Sequence, residues 1–327
     1  MNFLKPFLFV FILLACNCVF GQDSKEDKRI LDSLIANDEF LQLLNSLDAD
    51  KSYFTISVGA SNRLASVNNN SINAQQGNLK TVITPAVSYN HKSGLGLSAA
   101  GYVVRNAENN GLHRFSLTPF YNHSFNKSLA LGLSYTRFFS DNKYNAVESP
   151  IQNDLYANVL YKKGFVEPGL AFGYSTGKYN EIDKVTINIP REGRTTFSDT
   201  AITSIKSFSV TGSVEHRFLL YTKMSKQSAL LFIPSILLNA GNNSFSVTHH
   251  NNFPGTVRGN GRRRLFRTQD VDGVSAFELQ STGLNLYLNY SIHKFSFQPQ
   301  IYLDYYLPST SESRFTQLFN VNIEYSF

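Results

Sequence analysis

The chain of 327 residues contains no tryptophan, and its only two cysteines, Cys16 and Cys18, lie close to the N-terminus. If an N-terminal signal is removed, the mature chain has no thiol, which excludes disulfides and thiolate chemistry. Charged residues make up only 17% of the chain, and the net charge of +6 is spread thinly. After the N-terminal segment no apolar run approaches about 18 residues, so the sequence offers no transmembrane helix.

The first residues have the composition of a secretory signal peptide. One early lysine precedes a short apolar run, and Val19 and Gly21 fit the small-x-small rule for cleavage. We therefore expect residues 1–21 to be a signal peptide and Gln22 to be the mature N-terminus. An uncleaved membrane anchor and lipidation at Cys16 remain alternatives. Export conflicts with a role on nucleic acid, so no nucleic-acid partner is expected.

From Lys51 to Phe327 the hydrophobic pattern has a period of two, which is typical of β-strands. In "SLALGLSYT", Leu131 and Leu133 alternate with small or polar residues. The chain has 27 Phe and 17 Tyr, and many of them share the apolar face of such segments. A soluble sandwich gives the same alternation with its apolar face inside, so the pattern alone does not decide the class.

The number of strands and the lengths of the connections favour a membrane barrel. We predict about twelve strands, at residues 51–61, 80–91, 94–105, 113–124, 128–140, 152–162, 165–176, 203–221, 228–246, 276–292, 295–307 and 315–327. Long connections, including 62–79, 141–151, 177–202 and 247–275, follow odd-numbered strands, and short turns such as "HKSG" and "IHK" follow nearly all even-numbered ones. An even strand number with loops on one side and turns on the other is typical of an outer-membrane barrel.

Tyrosines occur near both ends of the predicted strands, on the apolar face. Those before the short turns are Tyr89, Tyr121, Tyr161 and Tyr290, and those near the opposite ends are Tyr135, Tyr174 and Tyr305. Two belts of amphipathic rings are expected where a barrel crosses two lipid interfaces.

The last strand, "FTQLFNVNIEYSF", ends the chain on Phe327 with an aromatic or aliphatic residue at alternate positions. It resembles the C-terminal targeting strand of the Gram-negative outer-membrane β-barrel superfamily, although it lacks the glycine often found there. The resemblance implies an antiparallel up-and-down barrel over 51–327, location in the outer membrane, contact with its lipid and lipopolysaccharide, and recognition of the last strand by the barrel assembly machinery.

Residues 22–50 precede the barrel and have a helical period. Ile30, Leu31 and Leu34 share one face, and Phe40 and Leu44 continue the pattern. We expect a short periplasmic helical segment here, as two helices or one broken helix. It would pack against the base of the barrel, plug its lumen, or bind a periplasmic partner through residues 23–50.

Five prolines fall inside predicted strands, within about eight residues of a short turn. They are Pro85, Pro119, Pro168, Pro234 and Pro299, all on the apolar face. Proline removes a donor from the hydrogen-bond ladder, and a closed barrel has no edge strand to hold it. We therefore expect bulges or irregular pairing near the short-turn rim.

The inward-facing positions carry the polar residues that could act on a solute. The charged candidates for lining the lumen are Asp154, Glu167, Glu215, Arg217, Asp304 and Glu324. They would form a packed polar interior or set the charge selectivity of a pore. No convincing serine, histidine and carboxylate triad is visible, no metal site is complete, and no cofactor is expected.

One predicted loop, "RGNGRRRLFR", concentrates positive charge. Its arginines are Arg258, Arg262, Arg263, Arg264 and Arg267. The loop is either a solvated flexible segment or a contact for lipopolysaccharide or another acidic ligand, since guanidinium groups bind phosphate in a bidentate way.

The sequence favours a passive pore or small-solute channel that is not an enzyme. The first alternative is a non-conducting structural or assembly barrel in an envelope complex, and the second is an outer-membrane hydrolase. A pore requires a continuous wet lumen, whereas a structural barrel would have a packed one.

Overall fold

The structure is a computed structural model. It describes residues 51–62, 81–105, 110–125, 128–140, 151–189, 193–221, 228–251, 271–308 and 314–327. The predicted signal peptide, the helical segment at 22–50 and the arginine-rich loop lie outside these residues. Within the described ranges, no helix is long and apolar enough to cross a membrane.

The described residues form fourteen strand segments. They are β1 Tyr53–Ser61, β2 Thr81–Asn90, β3 Leu95–Arg105, β4 Asn110–Phe125, β5 Leu129–Ser140, β6 Asn153–Tyr161, β7 Glu167–Ile189, β8 Gly193–Glu215, β9 Phe218–Tyr221, β10 Ser228–Asn251, β11 Val271–Val274, β12 Glu278–Ile292, β13 Phe295–Tyr306 and β14 Phe315–Ser326.

These segments form one closed antiparallel sheet. β9 continues the line of β8 along β10, and β11 precedes β12 along the other side of β10, so the fourteen segments make twelve barrel strands. The sheet closes where β1 pairs with β14, with Ile56 opposite Tyr325. The predicted twelve-strand, all-β, up-and-down barrel is confirmed.

The two faces of the wall differ as the alternation predicted. On β1, Phe54, Ile56 and Val58 are exposed on the outer face, while Thr55 and Ser57 are buried inside. An exposed apolar face of this extent needs lipid around it, because soluble monomers rarely expose large apolar patches. The closed even-stranded wall and its apolar outer belt are the architecture of an outer-membrane β-barrel.

The wall extends beyond the predicted strands on the long-loop side. The segment 177–202, which we expected to be a loop, instead continues β7 and β8 as a regular hairpin, with Ile189 opposite Gly193. β10 likewise runs on to Asn251, paired with Asp199 of β8. The loop prediction was wrong here because Val185, Ile187 and Ile189 alternate with polar residues, which is a strand period, and the segment pairs with β8 as far as Ile189.

The five strand prolines interrupt pairing without shifting it. β2 and β3 pair up to Ile83 and again from Ala86 in the same register, with the gap at Pro85. The same kind of gap occurs beside Pro119 between β4 and β5, and beside Pro299 between β12 and β13. The predicted irregular pairing is therefore present at these prolines, whereas the register shifts of the described wall lie elsewhere, at Tyr102/Val103 and Asn239/Ala240.

The remaining two prolines lie where pairing with one neighbour stops. β6 and β7 pair only as far as Gly169, next to Pro168, and β8 pairs with β10 only from Ser235, next to Pro234. The missing N–H donor of each proline therefore interrupts pairing with one neighbouring strand only locally, because the proline keeps its register with the strand on its other side.

A tight turn joins β2 to β3 at the short-turn end. Gly94 has a φ of 89° and donates its N–H to the carbonyl of His91 at 2.9 Å. A Cβ on Gly94 would lie 2.0 Å from the carbonyl oxygen of Asn122. Only glycine suits this position, since L residues rarely adopt this φ and the backbone of β4 fills the space.

Candidate functional site

The lumen wall has a dry, apolar region on β2 to β5, in the half of the barrel toward the long loops. Val82, Tyr102 and Val104 are each 1% exposed, and Ala100 and Phe138 pack with them. The rings of Tyr102 and Phe138 lie 6.0 Å apart. We call this group the lumenal cluster. Side chains that project into a lumen are buried this deeply only when other protein atoms fill the space beside them.

Arg114 lies against this cluster. Its guanidinium carbon is 3.8 Å from the centre of the Phe138 ring, a cation–π contact, and the residue is 4% exposed. Tyr102 and Ser116 share a hydrogen bond of 3.3 Å between their hydroxyls. Arg114 is not among the residues predicted to line the lumen, although its inward position follows from the alternation of "RFSLTPFYN".

The opposite part of the wall is open to solvent. A cavity of about 190 Å³ lies against β6, β7, β8, β10, β12 and β13. Its lining is rich in amide and phenol groups, among them Tyr156, Asn158, Asn239, Asn285, Tyr287 and Gln300. The volume is large enough for several water molecules, each of which occupies about 30 Å³ in the liquid.

Hydrogen bonds between neighbouring strands hold these polar side chains in place. The Asn239 amide donates to the hydroxyls of Tyr302 and Ser281, both at 3.0 Å. Gln300 donates to Asn285 at 2.9 Å, and Asn285 donates to the Ser235 hydroxyl at 3.1 Å. The network fixes the orientation of these side chains, and each amide and hydroxyl group has more hydrogen-bonding capacity than the bonds named here use.

Three charged residues lie at the short-turn side of this cavity. Glu167 on β7 is directly opposite Glu215 on β8, an arrangement of like charges that is unfavourable by itself. Arg217 resolves it, since its Nε lies 3.1 Å from Glu167 and its terminal nitrogen 3.2 Å from Glu215. The side-chain exposures are 32% for Arg217, 10% for Glu167 and 19% for Glu215. Solvent therefore reaches the trio through the arginine.

The other predicted lumen residues lie on the same inner face but apart from this trio. Asp154 on β6 is buried and accepts a hydrogen bond of 2.6 Å from Ser175. Asp304 on β13 accepts one of 2.8 Å from Tyr302. Glu324 on β14 is level with Ser57 and Ser296. The six candidates are therefore spread along the wall and do not form one charged ring.

The histidines of the short-turn end lie among aromatic rings. His123 stacks on Tyr121 at 5.9 Å, and its ring meets Phe125 edge-on at 4.4 Å. His216 lies 4.1 Å from Phe165, whose carbonyl it also contacts through Nδ1. No group of three His, Cys, Asp or Glu side chains within the described ranges is placed to hold a metal ion.

Comparisons with known proteins give structural likeness only. No protein-family model matches the chain, and no curated protein sequence matches it. Among solved structures, the KdgM porin is 12% identical with a TM-score of 0.40, covering 84% of this chain and 99% of its own. The NanC porin is 9% identical with a TM-score of 0.37, covering 83% and 98%. The CymD monoaromatic hydrocarbon channel is 9% identical with a TM-score of 0.36, covering 90% and 91%. Function is therefore inferred from the lumen of this chain.

Proposed function

We propose that the protein is a passive outer-membrane pore for small polar solutes. The observation that carries the proposal is the cavity of about 190 Å³ on one side of the lumen and its many polar lining residues. A barrel that served only as a scaffold would gain stability from filling this space, because empty or wet volume forgoes packing contacts. Instead the wall presents fixed amides, phenols and one partly exposed arginine to the cavity.

The strand number supports a narrow pathway. Barrels of eight strands are just filled by their own side chains, whereas those with sixteen or more leave an aqueous channel. Twelve strands lie between these limits. With the lumenal cluster filling the β2–β5 side, the open path is expected to run along the β6–β8, β10, β12 and β13 side.

The first experiment is conductance of the purified, refolded protein in a planar bilayer. We expect discrete openings with small single-channel conductance. If the refolded barrel gives no current above that of the bare bilayer, across a range of voltages and salt concentrations, the proposal of a pore is contradicted.

Arg217→Ala tests the pathway directly. The substitution leaves Glu167 and Glu215 opposite each other without their cation, so the current should shift toward cation selectivity, measured as the reversal potential in a salt gradient. The matched control is Arg137→Ala on the outer face, where the guanidinium bonds to Asn153 at 2.6 Å. The control should leave the reversal potential unchanged, and equal shifts in both variants would contradict the assignment of the path.

The lumenal cluster favours a second candidate, a non-conducting structural or assembly barrel. Its packing fills part of the lumen, as a scaffold's interior would be filled. In that case the wild type conducts nothing and Arg217→Ala strands two carboxylates, costing about 3–5 kcal/mol of unfolding free energy. An outer-membrane hydrolase is the least supported candidate, and we propose that the protein is not an enzyme.

The remaining expectations concern targeting and partners. We propose cleavage of the signal peptide after Gly21, assembly through the C-terminal strand ending at Phe327, and an outward position for the long loops. The arginine-rich loop at 258–267 would contact lipopolysaccharide, and residues 23–50 would bind a periplasmic partner.

A further inference from the structure

We propose that the short-turn rim of the barrel binds anionic phospholipid headgroups. The rim is defined here by the exposed lysines Lys92, Lys163 and Lys294 together with the aromatic residues next to them. The inference is independent of whether the lumen conducts.

Each short turn that the structure describes carries a lysine. Lys92 lies between β2 and β3, Lys163 between β6 and β7, and Lys294 between β12 and β13, and all three are exposed. None of the three is ion-paired with another described residue. Lys51 adds a further exposed cation before β1. Against these four cations stand the terminal carboxylate of Phe327 and, on the lumen face, Glu324, so the outer surface of the rim is positive on balance.

The nearest carboxylate side chains of this end are turned away from the rim's outer surface. Glu167 and Glu215 lie on the lumen face and are held by Arg217. The long-loop end differs, because there the sequence of the β7–β8 hairpin mixes Lys178 and Lys184 with acidic residues. The three turn lysines therefore differ from Lys178 and Lys184 in having no acidic residue within three positions along the chain.

Aromatic rings fix the depth of these lysines relative to lipid. On the outer face, Phe54 and Tyr89 lie 4.7 Å apart, and Phe295 and Tyr325 lie 4.6 Å apart. Such rings occupy the headgroup level of a bilayer. Lys92 follows Tyr89 by three positions, and a lysine side chain is long enough to extend its ammonium from there to the phosphate layer.

The depth of the charge is what favours a lipid over an acidic protein partner. A protein-binding surface would place its cations on the end of the barrel without regard to the belt. Here every turn lysine follows an aromatic residue of the outer face within a few positions, as at Tyr161 and Lys163. Anionic headgroups offer phosphate at that depth around the whole circumference.

The test compares lipid selectivity of the full-length mature protein refolded in phosphatidylcholine vesicles. Trace spin-labelled phosphatidylglycerol or phosphatidylcholine is added, and electron spin resonance gives the fraction immobilised at the protein surface. We expect the wild type to prefer phosphatidylglycerol by about fivefold or more at low salt, since one lysine near an anionic surface corresponds to about fivefold. Molar sodium chloride should abolish the preference, because the screening length falls to about 3 Å.

The variant Lys92→Gln/Lys163→Gln/Lys294→Gln should lose the preference, to within about twofold of equality. The matched control is Lys178→Gln/Lys206→Gln/Arg314→Gln, which removes three exposed charges from the long-loop end and should keep it. The mobility shift of unheated samples in gels verifies that both variants fold.

Three results would overturn the proposal. They are no preference in the wild type, an unchanged preference in the rim variant, and an equal loss in the control variant. The first would leave an acidic protein as the occupant of the rim. Millimolar inorganic phosphate at constant ionic strength should not compete, and competition by it would mean that the rim binds free phosphate and not lipid.

Discussion

Substituting arginine for Leu133 tests whether the outer face of the barrel contacts hydrocarbon. Leu133 is exposed on the outer face of β5. Along this strand it lies between Tyr135, which belongs to the long-loop tyrosine belt, and Leu129, which pairs with Tyr161 of the short-turn belt. An arginine on the lipid face costs about 2–4 kcal/mol near the bilayer midplane. With urea slopes of about 1–3 kcal/mol per molar, the unfolding midpoint should fall by about 1–2 M.

The matched control is Ser213→Arg on the inner face of β8. Ser213 lines the open cavity and is two residues from Glu215 on the same face, so the new guanidinium finds both water and a carboxylate. We expect a loss below about 1 kcal/mol. Ser134, on the inner face of β5, is a poor control because it is only 5% exposed and leaves no room for a long side chain.

The measurement is reversible urea unfolding in lipid vesicles, followed by far-ultraviolet circular dichroism, since the chain has no tryptophan to report by fluorescence. Equal losses in the two variants would refute the assignment of the faces. A loss below about 1 kcal/mol for Leu133→Arg would refute contact with hydrocarbon at this position.

Two further predictions concern the turn and the lumen. Gly94→Ala should lower the unfolding free energy by about 2 kcal/mol or more, because Gly94 has a φ of 89° and a Cβ there would meet the Asn122 carbonyl oxygen. The control Gly111→Ala should be nearly neutral in the same titration, because a Cβ on Gly111 has no atom within 4 Å. Tyr102→Ala should lower the unfolding free energy by about 3–5 kcal/mol, since it opens a void in a packed region. Phe139→Ala on the lipid-facing side should lower it by less, because lipid fills the space. Similar losses in the two variants would mean that the lumenal cluster is wet.

The barrel could be predicted from sequence because its signals are local. Alternation assigns each residue to a face, and the short turns mark successive hairpins, so the faces of Phe54 and Thr55 follow without knowledge of the rest of the chain. Closure adds one long-range pairing, between β1 and β14, and lipid requires it because the backbone groups of an open edge would have no hydrogen-bond partner there.

The extension of β7 and β8 was missed because its apolar residues are few on the β8 side. In "TTFSDTAITS" only Phe197, Ala201 and Ile202 are apolar, although Val185, Ile187 and Ile189 of β7 have a strand period. Residues 177–189 keep the register of the lower hairpin, with Val185 opposite Phe197. The extension is sustained by the β7–β8 pairing within the barrel wall, because adding further pairs to strands that are already aligned costs little.

The state of the lumen is a different kind of property, because it depends on residues that face each other across the barrel. Alternation places Tyr102 and Arg217 alike on the inner face, yet one is 1% exposed and the other has 32% of its side chain exposed. The difference arises from neighbours on other strands: Val82, Phe138 and Arg114 fill the space around Tyr102, whereas small and amide side chains leave a cavity near Arg217. A period of two carries no information about which strands lie opposite at a given height. The charge that a permeating ion meets therefore depends on closure and register together. The like-charged pair of Glu167 and Glu215 is the clearest case. Only the β7–β8 register brings these two carboxylates level, and their repulsion is relieved by the arginine between them.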